Sequence, residues 1–457
     1  MSTPQQEVQP MEVHSDDSTI HAQSASMEED RKSSTNEKEK DQVELKESAT
    51  VDNVKQVGVD DYPDGGLRAW LVVFGAASGT FATFGYVNAW GVFQAYYEQN
   101  TLSNTDPSTI AWIGSIEYAL IFIPGLLSGR LFDMGHFKVM LLVSSAIVVT
   151  ATFLIAQCKE YWQFLLCQGF AVGLACGCIF GPMLGVVAHW FKYKRGVALG
   201  VVAIGSSIGG TIFPIAARKL IPLVGFQWTM RILGFIQLAA LGVTNLTLER
   251  RLPPKTVVGP FINLTAFRNK AYTMYCFSSL VAFLGLYTVL TYIDISASAA
   301  GVSDDFSFYL VSIANASSGL GRIAGGFLAD SSGSLNVLAP ATFIAAILTY
   351  AWPFAKSQGA FVAIAVIYGI ASGVYVSLLP APVMQMGQTH DVGVRVGMLM
   401  TVLAFGAVAG PPISGAINTA TGGFDAVGYY AGSTVIVAVI MMVSTKYLHL
   451  GTLRGKF

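Results

Sequence analysis

Runs of about twenty apolar residues constrain this chain more than any other feature. A helix rising about 1.5 Å per residue needs that many to cross the hydrocarbon of a bilayer. About twelve such windows follow one another. Six lie near 70–95, 109–129, 137–157, 162–189, 197–220 and 228–248, and six near 272–298, 306–329, 335–355, 359–385, 394–418 and 427–448. Lipid offers no partner to backbone N–H and C=O groups, so only helices and closed barrels span it, and windows this long fit helices. The expected fold class is an all-α membrane protein of about twelve transmembrane helices in two six-helix halves. Composition agrees: 12% of residues are charged, against about 25% in soluble chains.

The expected organisation is a disordered cytoplasmic tail over 1–60, a six-helix bundle over 61–248, a cytoplasmic central loop over 249–271, a second six-helix bundle over 272–448 and a short cytoplasmic tail over 449–457. Residues 1–60 hold 14 acids, 6 bases and no aromatic residue, too little apolar surface for a core. They also lack the apolar centre of a signal peptide. Bases gather in alternate connections: Arg130 and Lys138, then Lys192, Lys194 and Arg195, then the central loop, then Arg395, then Lys446 to Lys456. The opposite connections carry Glu98, Asp106, Asp304, Asp305 and Asp425, with Lys159, Arg218, Lys219 and Lys356 as exceptions. The positive-inside rule then places both termini in the cytoplasm.

Nothing in the pattern calls for a cofactor, a metal or a nucleic acid. The five cysteines sit in or beside apolar windows and form no ligand spacing with the six histidines, so they read as small packing residues. No phosphate-binding loop and no nucleophile–base set is present in the sequence, which argues against an ATP-driven pump or an enzyme.

The chain repeats itself. GRLFD, residues 129–133, ends the second window, and GFLAD, residues 326–330, ends the eighth, 197 residues later. Two parallel halves of this kind are a common layout of secondary transporters. Within SGRLFDMGHFK, Gly129, Leu131, Asp133 and Lys138 resemble the loop signature between spans two and three of the major facilitator superfamily. Met134 replaces the usual Arg, and the usual Gly is shifted to Gly135; Asp330 and Gly333 keep the spacing better. DGGLRAWLVVFGA, WFKYKRGVALGVVAIGSSIGG, SGLGRIAGGFLAD and GPPISG are similar to motifs of the monocarboxylate porter family, and WIGSIEYALIFIPGLLSGRLFDMGHFK and YWQFLLCQGFAVGLACG to its fungal branch.

That resemblance implies a major facilitator fold and alternating access. It makes Asp133, Lys138 and Asp330 gating residues, with the Asp133 carboxylate near the positive end of a neighbouring helix. It makes Arg322, on the eighth span, a substrate-binding residue whose planar fork suits a carboxylate. The animal porters pair that Arg with an Asp where this chain has Ser318, and carry a Lys where it has Asn88. Arg322, Ser318 and Asn88 are therefore the candidate substrate residues, and simple lactate-type cotransport is put in doubt. Glu117, within the second span, is the proton-coupling candidate, since a charge at mid-span costs about 2.5–3.5 kcal/mol and needs a reason. A hydrogen-bonded packing acid is the other reading. Tyr86, Trp90, Phe93, Tyr287, Tyr292, Tyr375 and Phe405 offer a lining for a less polar solute, although lipid and neighbouring helices are the commoner place for such rings.

The expected function is secondary active transport of a small organic solute, resembling monocarboxylate porters. The alternative is efflux of a secondary metabolite from a fungal biosynthetic cluster. A non-transporting membrane sensor is the alternative from a different class. The expected partners are an organic acid or secondary metabolite, protons and the bilayer, with the plasma membrane favoured over the vacuolar one.

Overall fold

The computed structural model describes residues 62–252, 264–387 and 391–457. The tail over 1–60 and residues 253–263 of the central loop lie outside the described residues.

Twelve helices of membrane-spanning length follow one another among the described residues. Helix α1 is Gly66–Thr101, α2 Thr109–Asp133, α3 Phe137–Ile155 and α4 Tyr161–Trp190. A 53-residue helical stretch, Arg195–Thr247, comes next. It is broken at Gly225, whose φ of 77° lies in the left-handed region that a side chain disfavours, so it forms two helices, α5 (195–224) and α6 (226–247). Then come α7 Lys270–Ala299, α8 Asp304–Ser332, α9 Ser334–Phe354, α10 Gln358–Gln385, α11 Val392–Thr421 and α12 Asp425–Leu450.

Ten apolar stretches satisfy span length and hydropathy, the joined pair counting once, and α8 is the polar exception. It carries Asn315, Ser317, Ser318 and Arg322 along its buried face. Such a face is tolerable only against protein or a cavity, and α8 packs on α5 and α10.

The ends of the helices follow ordinary capping chemistry. The Asn269 side chain accepts N–H bonds from Ala271 and Tyr272 at the start of α7, and the Ser357 hydroxyl accepts one from Ala360 at the start of α10. Gly333, at φ 100°, turns the chain sharply between α8 and α9. Helix α11 passes through Pro411 and Pro412 without a break.

Three helices depart from the α pattern. Helix α1 widens into π-helical turns at Phe81–Gly85 and Tyr97–Thr101, and α4 does so at Leu165–Val172. Helix α2 loosens over residues 121–124, before Pro124.

The first six helices and the last six meet along two seams. Helix α2 packs on α11, and α5 packs on α8. Glycines let both seams close to backbone contact. Gly129 and Gly393 face one another across the first, and Gly326 and Gly196 across the second; a Cβ on any of the four would strike the opposite carbonyl.

Candidate functional site

Each seam ends in a carboxylate placed on a helix N-terminus. The N–H groups of Gly393 and Val394, in the first turn of α11, donate to Asp133 at 3.3 and 2.9 Å. The N–H groups of Gly196 and Val197, in the first turn of α5, donate to Asp330 at 2.6 and 2.9 Å. The first turn of a helix has unpaired N–H groups and a partial positive charge, so a carboxylate suits it on both counts. The correspondence is exact in number: Asp330, Gly393 and Val394 each lie 197 residues after Asp133, Gly196 and Val197.

The surroundings of the two contacts differ. Asp133 is buried, at 4% exposure. Arg250, from the end of α6, donates to the carbonyls of Phe132 and Asp133 and lies 5.0 Å from the Phe132 ring. Partial burial lowers the Arg250 guanidinium from its ordinary range, and the Asp133 charge works the other way. On Asp330 the corresponding cation comes from the chain's last residues: Lys456 donates to the Asp330 carbonyl. Lys138 stands apart from both contacts, donating to the Asn245 carbonyl at 2.9 Å.

A third carboxylate, Asp64, accepts N–H bonds from Lys192, Tyr193 and Lys194 at 2.8, 2.7 and 3.0 Å, tying the start of α1 to the loop before α5. These contacts close the end of the molecule that carries the basic loops. The opposite end has a weaker tie between α5 and α8. Arg218 reaches Asp305 at 2.7 Å with its guanidinium 4.2 Å from the Phe308 ring centre.

Between the two ends lies a small cavity of about 40 Å³, room for a few waters at most and far below the size of small-molecule sites, so a solute enters only when the halves part. Its wall is almost entirely apolar. Phe84 comes from α1, Phe122 from α2, Phe180 from α4, Phe283 and Tyr287 from α7, with Val202 and Ala203 from α5. The rings form a connected belt: Phe84 meets Phe180 at 4.6 Å, and Phe122 meets Phe283 at 5.6 Å across the two halves.

Arg322, 6% exposed, is not on the cavity wall but reaches it through the lining residue Ala203. Its Nη1 donates to the Ala203 carbonyl and the Ser206 hydroxyl of α5, and its Nε has no hydrogen-bond partner. Among the described residues no carboxylate forms an ion pair with it; the titratable group facing it is the Tyr287 phenol on the cavity wall. The charge is thus parked on backbone and hydroxyl oxygens.

Ser318 and Asn88 lie farther along the same seam. The Ser318 and Ser207 hydroxyls are 2.7 Å apart. Asn315 donates to the Gly210 carbonyl at 3.4 Å, and Asn88 abuts Gly210 from the bend in α1. Arg322, Ser318 and Asn88 therefore share a stripe along α5, and none of the three is among the cavity-lining residues. Glu117 is elsewhere, buried between α2 and α4 with Gln168 as its partner.

Of the rings singled out in the sequence only Tyr287 lines the cavity. Tyr86, Phe93 and Tyr375 are packed between helices, and Phe405 is 67% exposed on the outer surface. Sequence reading missed Phe84, Phe122, Phe180 and Phe283, as well as Ala203 and Ser206. In a chain apolar on every face, periodicity does not separate a ring facing a cavity from one facing lipid.

Comparison with known proteins fits this architecture. The Major Facilitator Superfamily profile matches residues 73–386. The aspyridones efflux protein apdF of Emericella nidulans is 35% identical over 405 residues, which cover 88% of this chain and 82% of the relative. The MFS transporter asaE of Aspergillus flavus is 34% identical over 410 residues, covering 88% and 91%. Among solved structures, the human organic anion transporter MFSD10 superposes with a TM-score of 0.65 at 16% identity, covering 82% of this chain and 98% of that one. The E. coli fucose:proton symporter FucP does so at 0.62 and 16%, covering 81% and 98%. The chain is an integral, multi-pass membrane transporter of a small molecule rather than an enzyme, and it belongs to the major facilitator superfamily.

Proposed function

We propose that the protein is a secondary active exporter of an acidic, largely apolar secondary metabolite. The observation that carries this reading is Arg322: a buried guanidinium with no carboxylate partner among the described residues, held on the lining residue Ala203 of an aromatic cavity. A buried charge held without a counter-charge is costly unless something completes it. An acidic group on the substrate would do so, while the apolar wall takes the rest of the molecule. Ser318 and Asn88 stand where the animal porters carry charge, which favours a larger and less polar acid than lactate. A relative named as an aspyridones efflux protein supports the same direction of transport.

The basic loops support a cytoplasmic placement of that end and of both termini. With that placement the Asp133 and Asp330 contacts shut the cavity from the cytoplasm, and 61–248 and 272–448 are the bodies that rock. Opening pulls α8 from α5, frees Arg322 from Ala203 and Ser206, and admits the acid. The membrane we propose is the plasma membrane, where export leaves the cell.

The test is transport in vesicles carrying the purified protein, with labelled aromatic carboxylic acids beside acetate, lactate and pyruvate. The expected result is movement of the aromatic acids and its loss in Arg322→Ala. Equal transport of neutral analogues, or an unaffected Arg322→Ala, would overturn the reading.

A further inference from the structure

Glu117 takes no part in either seam. It is fully buried in α2. Its Oε2 accepts from Gln168 Nε2 at 3.3 Å, and Gln168 Oε1 accepts from the Tyr97 hydroxyl at 2.7 Å. Glu117 Oε1 and the nearby Tyr86 hydroxyl have no hydrogen-bond partner. The titratable groups facing Glu117 are Tyr86 and Tyr97 from α1 and Cys176 from α4, and no cation acts on it among the described residues.

Packing does not explain the carboxyl. Gly173 of α4 lies against the Glu117 backbone, and Gly369 of α10 lies in the same way against Ala314, the residue 197 positions after Glu117. The last six helices make this contact with a methyl group. A purely structural acid would also have both oxygens satisfied.

The partners are of a particular kind. An amide presents a donor on one side and an acceptor on the other, and a phenol does either. In one arrangement, Tyr97 donates to Gln168 and Gln168 donates to a carboxylate. With the amide turned over, a protonated Glu117 donates to Gln168 Oε1, and Gln168 donates to Tyr97. One set of residues satisfies both states of the acid. The backbone is also unusual here. All three π-helical stretches among the described residues border this site: Tyr97 opens one, Gln168 lies in another, and Tyr86 follows the third. Such turns concentrate at functional positions.

We propose that Glu117 is a reversible proton-binding site, with Gln168 and Tyr97 reversing their hydrogen bonds as it gains and loses its proton, and that this proton drives the export cycle. The step is addition or loss of H⁺ at Oε2, the oxygen that faces Gln168, and only an O–H bond changes. The coupling clause rests on the exporter reading, whereas the proton site does not.

The test is infrared spectroscopy of the full chain in phosphatidylcholine vesicles between pH 5 and pH 10. The wild type is expected to show a carboxylic-acid C=O band that gives way to carboxylate as pH rises, and Glu117→Gln to lack it. Tyr97→Phe and Gln168→Leu, which keep the acid, should move its midpoint by about one pH unit or more, a tenfold change in proton affinity. No titrating band assigned to Glu117, or midpoints unmoved in both variants, overturns the proton site. If Glu117→Gln does not fold, the two other variants decide it. Transport of a labelled aromatic acid under an imposed pH gradient then tests coupling. Gradient dependence should vanish in Glu117→Gln, and wild-type transport indifferent to the gradient overturns coupling. Failure of any acid to move falls on the exporter reading and leaves the infrared result standing.

Discussion

Asp133 and Asp330 stand 197 residues apart and do the same thing to the first turns of α11 and α5. Glu117 and Arg322 have no such twins. The residue 197 after Glu117 is Ala314, and the residue 197 before Arg322 is Gly125, which packs on Gly397 much as Arg322 packs on Gly200. The contacts at the basic end are duplicated, while the two charged residues without such twins are divided, the acid Glu117 in the first six helices and the base Arg322 in the last six. A gate between two similar bodies works best as a matched pair. On the proposed reading, a solute with one acidic group has no such symmetry, and its site would need none.

The sharpest test of this division is Arg322→Ala, for which transport of an acidic substrate is expected to fall about 100-fold, since losing one partner of a buried charged contact costs about 2–5 kcal/mol. Arg322→Lys should recover only a small part, because an ammonium lacks the fork that grips Ser206 and a carboxylate together. If Lys restores full transport, the site does not use the fork.

The duplicated contacts come next. Asp133→Asn and Asp330→Asn each keep the shape and remove the charge. Both should raise the labelling rate of a single engineered cysteine at the basic end, by about fivefold to thirtyfold, following a loss of about 1–2 kcal/mol. Asp133→Asn should do more, since Asp133 is more deeply buried. Equal effects would mean that burial and the Arg250 contact add nothing to the first of the pair.

A smaller effect separates the two cations. Arg250→Ala should weaken the Asp133 contact alone, about threefold to tenfold in the same labelling assay, following a net loss of about 0.7–1.4 kcal/mol. Lys456→Ala acts only on the half of the pair that holds Asp330. Arg218→Ala should change least, less than about threefold. Arg218 and Asp305 are 33% and 93% exposed in their side chains, and exposed pairs contribute about 0–1 kcal/mol. A large effect there would show that the acidic end is held as firmly as the basic one.

Much of the fold was legible because lipid imposes a length rule. Each apolar window became a helix, and α8 was legible despite Arg322 and its serines because the rest of 306–329 still reads as an apolar window, with the repeat GFLAD closing it. The break between α5 and α6 was expected within 221–227, but nothing in VGFQW marks Gly225 as the left-handed residue that makes it. The π-turns around Tyr97 and Gln168 were equally silent, because they arise from how α1, α2 and α4 meet. Arg322 was visible because charge inside a span is rare. The cavity wall was not: Phe122 and Phe405 look alike in sequence, and only packing sends one inward and the other to lipid. The roles of Ala203 and Ser206 depend on where Arg322 points.

The receiving side of each carboxylate contact is main chain. Asp133 and Asp330 bind amides, which every residue but proline supplies, beside glycines where only bulk is forbidden. Under saturation mutagenesis, positions 196, 197, 393 and 394 should tolerate or reject substitutes by volume, with polarity and charge nearly irrelevant. The two aspartates should show the reverse pattern, rejecting even isosteric neutral residues. One half of each contact is thus invisible to any search for chemically matched residue pairs, and both contacts would be missed by a method that looks for partners changing together.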